Sequence, residues 1–224
     1  MAALPAANPV GPAPTPHQAP APAAAPDRVS ALMHDRRQAS PRRLIAPGPD
    51  AAQTQSLFLA AAQAPDHGCL VPWRFVLVPP QRREALGDAF AAALRERDPL
   101  ADAASLAQAR DKAAHAPFLA LAIARERDAH ADAPDQDAWA AEGVPAHERL
   151  VSLGCAIQNL LLVAHAQGYG AGLVSGRALE SRALRRLFTL DAGERAVCFI
   201  AVGTVQSPRP ARARPLPRDF VATL

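Results

Sequence analysis

The chain has 224 residues, and half of them are hydrophobic, which is enough for one sizeable domain with a buried core. Only 4% are aromatic, so alanine and leucine must fill most of that core. The formal net charge is +3, and arginine supplies almost all of the positive charge, because Lys112 is the only lysine. These basic residues are scattered among acidic ones without interleaved aromatics, which argues against a nucleic-acid partner.

Cysteine and histidine spacing gives no sign of a disulfide framework or a metal site. Cys69, Cys155 and Cys198 lie far apart without a CxxC pair, and the histidines lack HExxH spacing. This usage favours a reducing compartment, so we expect a cytoplasmic protein. No uninterrupted apolar run approaches the roughly 18 residues that span a bilayer, because Gln158 and Asn159 break the most apolar stretch. We therefore expect no membrane partner.

Residues 1–26 form a tract of proline and alanine, "MAALPAANPVGPAPTPHQAPAPAAAP". Repeated proline blocks both helix and sheet, so this tail is predicted to be disordered or extended. It has no basic start and no continuous apolar centre, which argues against a secretory signal. The folded domain is therefore predicted to cover 27–224.

The hydrophobic pattern then predicts alternating helices and strands. A first helix begins near Asp27, and a second has Asp50 and Gln53 in a capping-box pattern and is stopped by Pro65. The later elements are, in chain order, a strand at 73–78, helices at 82–98 and 104–116, a strand at 118–124, a loop at 125–146, a helix at 148–167, an amphipathic helix at 178–188, a strand at 196–205 and an extended tail. Interleaving of this kind indicates an α/β or α+β domain, but periodicity alone does not give its topology.

Four short features are candidates for ligand binding, and none is a standard nucleotide or hydrolase motif. Arg36-Arg37-Gln38 has the chemistry of an anion clamp, or it is a solvated basic helix end. The loop 66–69 leaves backbone N–H groups free for a ligand, or it is a plain helix-to-strand connection. The glycine-rich stretch 166–176 allows close approach to a flat ring, or it is a helix stop and a turn. Arg212 and Arg214 offer a phosphate partner, or they belong to a solvated tail. Singly, each feature favours its structural reading.

The combination is more specific than its parts. The segments "RRQAS", "APDHGCLVPWRFVLV", "SLGCAIQNLLLVAHAQGYGAGLVSG" and "FIAVGT" occur in an order that resembles the nitroreductase family of flavin enzymes, especially its compact branch of NAD(P)H nitroreductases. The resemblance covers about residues 30–224. It implies an α+β fold with a central, mostly antiparallel sheet flanked by helices, and an intertwined homodimer that binds FMN at its interface.

The resemblance also assigns roles to individual residues. It places the FMN contacts at Arg36, Arg37, Gln38, Gln63, His67, Leu173, Val174, Ser175, and Arg212 or Arg214. It places the nicotinamide nucleotide along Val163, Ala164, His165, Ala166, Gln167 and Gly168. Two positions depart from the family: Gln38 stands where a serine is usual, and Gln63 stands where close relatives have an arginine. Leu173, Val174 and Ser175 are expected in a loop that passes the flavin ring of the partner subunit.

The implied function is an FMN-dependent NAD(P)H oxidoreductase with NADH or NADPH as co-substrate. No side chain is expected to be catalytic, because the flavin N5 carries the hydride while the protein orients the cofactor. The reaction is expected to be ping-pong, with a nitroaromatic, a quinone or a similar small molecule as acceptor. Two alternatives remain open at this point: the same fold with another reaction, such as flavin reduction or dehalogenation, and a flavin-binding protein without catalysis.

Overall fold

The structure is a computed structural model that describes residues 28–126, 144–207 and 213–224. The tail predicted over 1–26, most of the loop predicted over 125–146, and Arg212 therefore lie outside the described residues.

The described residues contain the predicted elements and two short strands that were not predicted. The helices are α1 Arg28–Asp35, α2 Ala51–Ala61, α3 Arg83–Arg97, α4 Ala103–Asp111, α5 Ala146–Ala166 and α6 Arg182–Leu187. The strands are β1 Leu44–Ile45, β2 Trp73–Leu77, β3 Phe118–Arg125, β4 Gly170–Val174 and β5 Glu194–Val205. The unpredicted strands are β1 and β4, because two residues and a glycine-rich run give no period-two signal. The helix predicted over 104–116 is α4 followed by a 3₁₀ turn at Lys112–Ala114.

A five-stranded sheet with β5 at its centre organises the chain. The order is β1-β5-β3-β2, with β4 also paired to β5, and every one of these strand pairs is antiparallel. The predicted antiparallel α+β sheet is therefore confirmed. Because successive side chains of a strand point to opposite faces, β5 supplies two cores. Ile200 and Val202 enter one core, and Phe199 and Ala201 enter the other.

Helices cover both faces of the sheet. The first core packs α2 and α5 against the sheet, and the second packs α3 and α6. Alanine makes up much of both cores, as the scarcity of aromatics predicts, so helix and sheet backbones approach closely. The capping box of α2 is present: Gln53 N–H donates to Asp50 Oδ1 at 2.8 Å, and Asp50 N–H donates to Gln53 Oε1 at 3.0 Å. This cap fixes where α2 begins.

Helix α5 is the long buried helix of the domain. Its 21 residues are, by length and composition, enough to cross a membrane, which corrects the expectation that nothing in the sequence approaches that length. The reason is that Gln158 and Asn159 interrupt the apolar run without adding charge. In this fold 44% of its most apolar window is buried, and Leu153, Ala156 and Leu160 are fully buried against the sheet. A helix packed in this way also suits the core of a globular domain.

The C-terminus of α5 leads directly into β4. Gly168 has φ +86°, which a residue with a side chain adopts only at a cost. Tyr169 N–H donates to Ala164 O at 2.9 Å and Gly168 N–H donates to His165 O at 2.9 Å, so the predicted Schellman stop is present. The pattern predicts that Gly170 also ends the helix, and this is wrong. Gly170 is the first residue of β4. The chain therefore reverses within three residues and lies against β5.

Candidate functional site

The segment that follows α1 lies along β4. Ala39 N–H donates to Ala171 O at 2.9 Å, and the Gln38 side-chain amide donates to Leu173 O at 3.0 Å. A Cβ at Gly172 would lie 2.0 Å from Ala39 O, a distance that no real contact permits. Glycine at 172 is therefore what allows the 36–39 segment to approach β4 so closely.

Four arginines surround a cavity of about 820 Å³ beside this contact. They are Arg36, Arg37, Arg43 and Arg214, and Asp35 is the single carboxylate in the lining, so positive charge is in excess. Arg214 reaches this place by donating to Arg36 O at 3.1 Å. Burial lowers the pKa of Arg36, and the nearby cations of Arg214 and Arg37 lower it further. Like charges that repel one another in a partly buried place are stabilised by a bound anion.

The opposite wall of the cavity comes from the end of α5 and from β4. Leu161 and His165 belong to α5, and Gly168 and Tyr169 belong to the turn that follows. The Tyr169 hydroxyl is within hydrogen-bond distance of Gln53 Oε1, at 2.8 Å, and this bond ties the turn to the start of α2. The cavity is thus cationic on the 36–43 side and largely apolar on the α5 and β4 side.

The structure brings together many of the residues predicted from sequence. The predicted residues that line this one cavity are Arg36, Arg37, Gln38, His165, Gly168, Leu173, Val174, Ser175 and Arg214. The expectation that Leu173, Val174 and Ser175 form a loop is wrong for the first two. Both belong to β4 and pair with Ile200 and Phe199 of β5, because the chain must complete the sheet before it turns.

The other predicted residues that the structure describes do not line this cavity. In the stretch assigned to the nicotinamide nucleotide, Ala164 is fully buried in the first core, and Val163 packs against that core. Ala166 is exposed, and Gln167 has a buried Oε1 without a hydrogen-bond partner among the described residues. Gln63 is exposed at the end of α2.

His67 lies in a loop that the backbone holds in a strained form. Gly68, Cys69 and Val71 have φ of 71°, 54° and 45°, and a positive φ is unusual for a β-branched residue such as valine. The Asp66 carboxylate stabilises this form by accepting the Val71 N–H at 2.6 Å. Backbone strain of this kind is often found at functional sites.

The side chain of His67 is 70% exposed and contacts the first turns of α5. Its Nδ1 lies 2.9 Å from Glu148 Oε2, and because a carboxylate only accepts, Nδ1 is the donor. His165, in the cavity, is 17 positions further along α5 than Glu148. At about 1.5 Å per residue, roughly 25 Å of helix separates the two places. One small ligand therefore cannot contact both His67 and His165 of the same subunit.

Sequence reasoning left several lining residues of the cavity unassigned, among them Arg43 and Tyr169. Arg43 lines it and donates to Ser207 Oγ at 2.9 Å. The sequence signal for Arg43 was a second Arg-Arg pair, Arg42-Arg43, six residues after the first. It was counted only as part of the overall arginine content. Tyr169 was noted only as part of a glycine-rich run, although it is the single tyrosine of the chain.

Comparison with known proteins agrees with this geometry. The sequence profile described as the nitroreductase family matches residues 36–204, from the first cavity arginine to the end of β5. A Haemophilus influenzae protein named "Putative NAD(P)H nitroreductase" is 31% identical over 186 residues, which are 83% of this chain and 94% of that protein. The chain belongs to the nitroreductase family.

Solved structures show the same fold. A nitroreductase-like family protein from Bacillus cereus superposes with a TM-score of 0.70 at 19% identity, over 88% of this chain and 95% of that one. An FMN-dependent nitroreductase from Clostridium difficile superposes with a TM-score of 0.57 at 18% identity, over 86% of this chain and 96% of that one. At these identities the likeness concerns the fold.

Proposed function

We propose that the protein is an FMN-dependent NAD(P)H oxidoreductase that reduces a small electron-poor acceptor such as a nitroaromatic or a quinone. The observation that carries the proposal is the arginine-lined cavity between the 36–43 segment and β4. Family membership and the name of the Haemophilus influenzae relative support the choice of reaction. The FMN in the name of the Clostridium difficile structure supports the choice of cofactor.

The residues that are present fit FMN. A phosphate dianion needs charged donors when it is buried, and Arg36, Arg37 and Arg214 are the donors that crowd one end of the cavity. The cavity volume of about 820 Å³ is within the range of cofactor sites. The glycine contact at Gly172 holds the arginine segment against β4. When bound, FMN would supply the hydride chemistry.

The chain's own part in the reaction is binding and orientation. Gln38 already donates one amide N–H to Leu173 O, and its Oε1 can accept from a ligand hydroxyl. The end of β4 would lie against the flavin ring, and His165 and Gly168 are the members of the nicotinamide stretch that line the cavity. Both substrates would use one open face in turn, so ping-pong kinetics are expected.

We also propose that the protein is cytoplasmic and that two copies of it form the complete site. The separation along α5 supports this: the first cavity residue of α5 is Leu161, 13 positions or about 20 Å after Glu148, the partner of His67, so a flavin bound at the arginines would take a His67 contact from a second copy. Exposed apolar side chains support it too. All eight residues of α1 are described and none is buried, with Val29 at 59% and Met33 at 51% exposure, and Val151 of α5 is 65% exposed. Contiguous apolar surface of this kind marks association surfaces.

Equilibrium binding of FMN tests the cofactor assignment. Titration with the purified protein should quench flavin fluorescence at a stoichiometry of one FMN per chain. Arg36→Ala should weaken binding by at least tenfold, since a charge-assisted hydrogen bond to phosphate contributes about 1.5–3 kcal/mol. Arg95→Ala is the matched control, because Arg95 is an exposed arginine of α3 that lies outside this cavity and outside α1. Full FMN affinity in Arg36→Ala would contradict the clamp.

Anaerobic reduction tests the reaction. NADH or NADPH should bleach the visible absorbance of the bound flavin, and an added nitroaromatic or quinone should restore it. Double-reciprocal plots at several acceptor concentrations should give parallel lines. A protein that binds FMN but that neither nucleotide reduces would leave the cofactor assignment standing and refute the oxidoreductase assignment.

A further inference from the structure

A second cavity, of about 520 Å³, lies behind the wall of the first. Ser40, Pro41, Val174 and Ser175 line both cavities, so these residues form the partition between them. The second cavity opens on the other face of the sheet, where it is bounded by α3, α4 and the 3₁₀ turn at Arg177–Glu180. Of the proposed FMN contacts, Arg36, Arg37, Gln38 and Arg214 do not line it, whereas Val174 and Ser175 line it as part of the partition.

The rim of this second cavity is cationic and lacks acidic residues. Its charged members are Arg42, Arg97, Lys112 and Arg177, and all four are exposed. Among the residues that the structure describes, the lining contains no aspartate or glutamate. Over 28–126, 144–207 and 213–224, none of the four makes an ion pair with a carboxylate. This differs from the general surface, where Arg110 pairs with Asp88 and Arg195 pairs with Glu126.

A histidine completes the polar side of the cavity. Arg42 Nε donates to His115 Nε2 at 3.2 Å, which requires a neutral imidazole with its proton on Nδ1. Burial lowers the pKa of His115, and the charge of Arg42 lowers it further. Arg42 is thus held in place by a neutral partner, and its positive charge stays uncompensated.

The floor of the cavity is apolar and aromatic. Phe90 and Phe199 pack edge to face, with ring centroids 5.7 Å apart and an interplanar angle of 78°. Leu119 and Phe199 are 6% and 3% exposed, so they belong to the rigid second core. A ligand that enters the cavity therefore meets a fixed apolar surface beneath a ring of cations.

We propose that this second cavity binds a small organic anion with an apolar ring or chain, such as an aromatic carboxylate. The anionic group would neutralise Arg97, Lys112 and Arg177, and the apolar body would cover Phe90 and Phe199. The cationic rim is complementary to the anionic group of such a ligand, and the apolar floor is complementary to its ring or chain. The proposal does not depend on FMN, because the two sites share only their partition.

Calorimetric titration with 2-naphthoate tests the proposal, with the protein first equilibrated with saturating FMN. A ligand of this size should bind with a Kd of about 1 mM or lower. The neutral analogue 2-naphthamide has the same ring and no charge, and it should bind at least threefold more weakly. The double variant Arg97→Ala/Lys112→Gln should weaken naphthoate binding by about tenfold, at roughly threefold per exposed charge.

Arg95→Ala is the matched control, since Arg95 is an exposed arginine in the same turn of α3 but outside the cavity. It should leave the naphthoate Kd unchanged. The proposal is overturned if naphthamide binds as tightly as naphthoate, or if the double variant binds naphthoate as the control does. Naphthoate binding that is seen in the FMN-free protein and lost when FMN is saturating would also overturn it, because the anion would then occupy the first cavity.

Discussion

Replacing Gly172 with alanine should separate the arginine segment from β4. The added Cβ would lie 2.0 Å from Ala39 O, and real Cβ contacts essentially never fall below 3.0 Å, so the backbone must move by at least the difference, about 1 Å. Such a shift away from β4 takes the 2.9 Å bond from Ala39 N–H to Ala171 O out of range and weakens the Gln38 bond to Leu173 O. Two bonds of about 1 kcal/mol each, with overpacking of about 1–3 kcal/mol, predict a loss of roughly 3–5 kcal/mol in unfolding free energy.

The decisive measurement for Gly172→Ala is its FMN affinity, determined together with its unfolding free energy. A displacement of about 1 Å in the segment that carries Arg36 should weaken FMN binding by tenfold or more, because charged hydrogen bonds depend strongly on position. Gly170→Ala is the matched variant, since its Cβ would lie 2.2 Å from a Val205 side-chain atom and 3.1 Å from one of Leu44, and it meets Ala39 only at the side chain, at 3.3 Å, and not at the carbonyl. It should lower the urea midpoint but keep more of the FMN affinity. Equal FMN affinity in the two variants would refute the reasoning.

Three further predictions concern other parts of the molecule. Glu194→Gln should lower the unfolding free energy at pH 7 by about 2 kcal/mol, because the buried carboxylate accepts two bonds from Arg74, at 2.6 and 2.7 Å. Those bonds lower the pKa of Glu194, so its stabilisation is complete above its unfolded pKa of about 4.3 and is lost as the pH falls through the folded pKa; the parent and variant urea curves should therefore converge in acid. Burial raises the pKa of Cys198 to about 11, so iodoacetamide should label exposed Cys69 in the native protein and Cys198 only after unfolding, as peptide mass mapping would show. In the proposed dimer a second copy would approach over Gly154, where an added Cβ would have no atom within 4 Å apart from its chain neighbours and the backbone of its own helix. Gly154→Leu should therefore raise the monomer fraction measured by light scattering, and an oligomeric state equal to that of the parent would contradict this interface.

Hydrophobic periodicity and helix-capping residues predicted the elements whose structure is set by their own local sequence. The strand β3 is a continuous apolar run, and α2 has its own capping box, so neither needs a distant partner to be recognised. The strand β4 was not predicted because "GAGLV" has little strand propensity. It becomes a strand through its pairing with β5, a tertiary effect that overrides local preference.

The site residues also divide into those that the local sequence reveals and those that only the fold brings together. Arg36 and Arg37 were singled out as a candidate anion clamp because guanidinium chemistry is visible in the sequence, although the pair alone favoured a solvated helix end. Arg43 was not, since only the fold turns it toward the cavity shared with Arg36. The second cavity was equally hidden: Arg42, Lys112 and Arg177 are far apart in the chain and read as a scattered background of charge until the fold collects them.

The two ends of α5 explain how one helix can serve two sites. His67 sits at its start, held by Glu148, and the arginine cavity lies at its end beside His165. With Nδ1 of His67 donating to Glu148, only Nε2 is left to meet a ligand. A two-fold axis that crosses α5 near Gly154 would bring the start of one helix toward the end of the other. Gln63 and His67 of one copy would then face the cavity of its partner. Such an arrangement would explain how both positions, which the sequence resemblance assigns to the flavin, contribute to a site although neither lines the two cavities described above in its own chain.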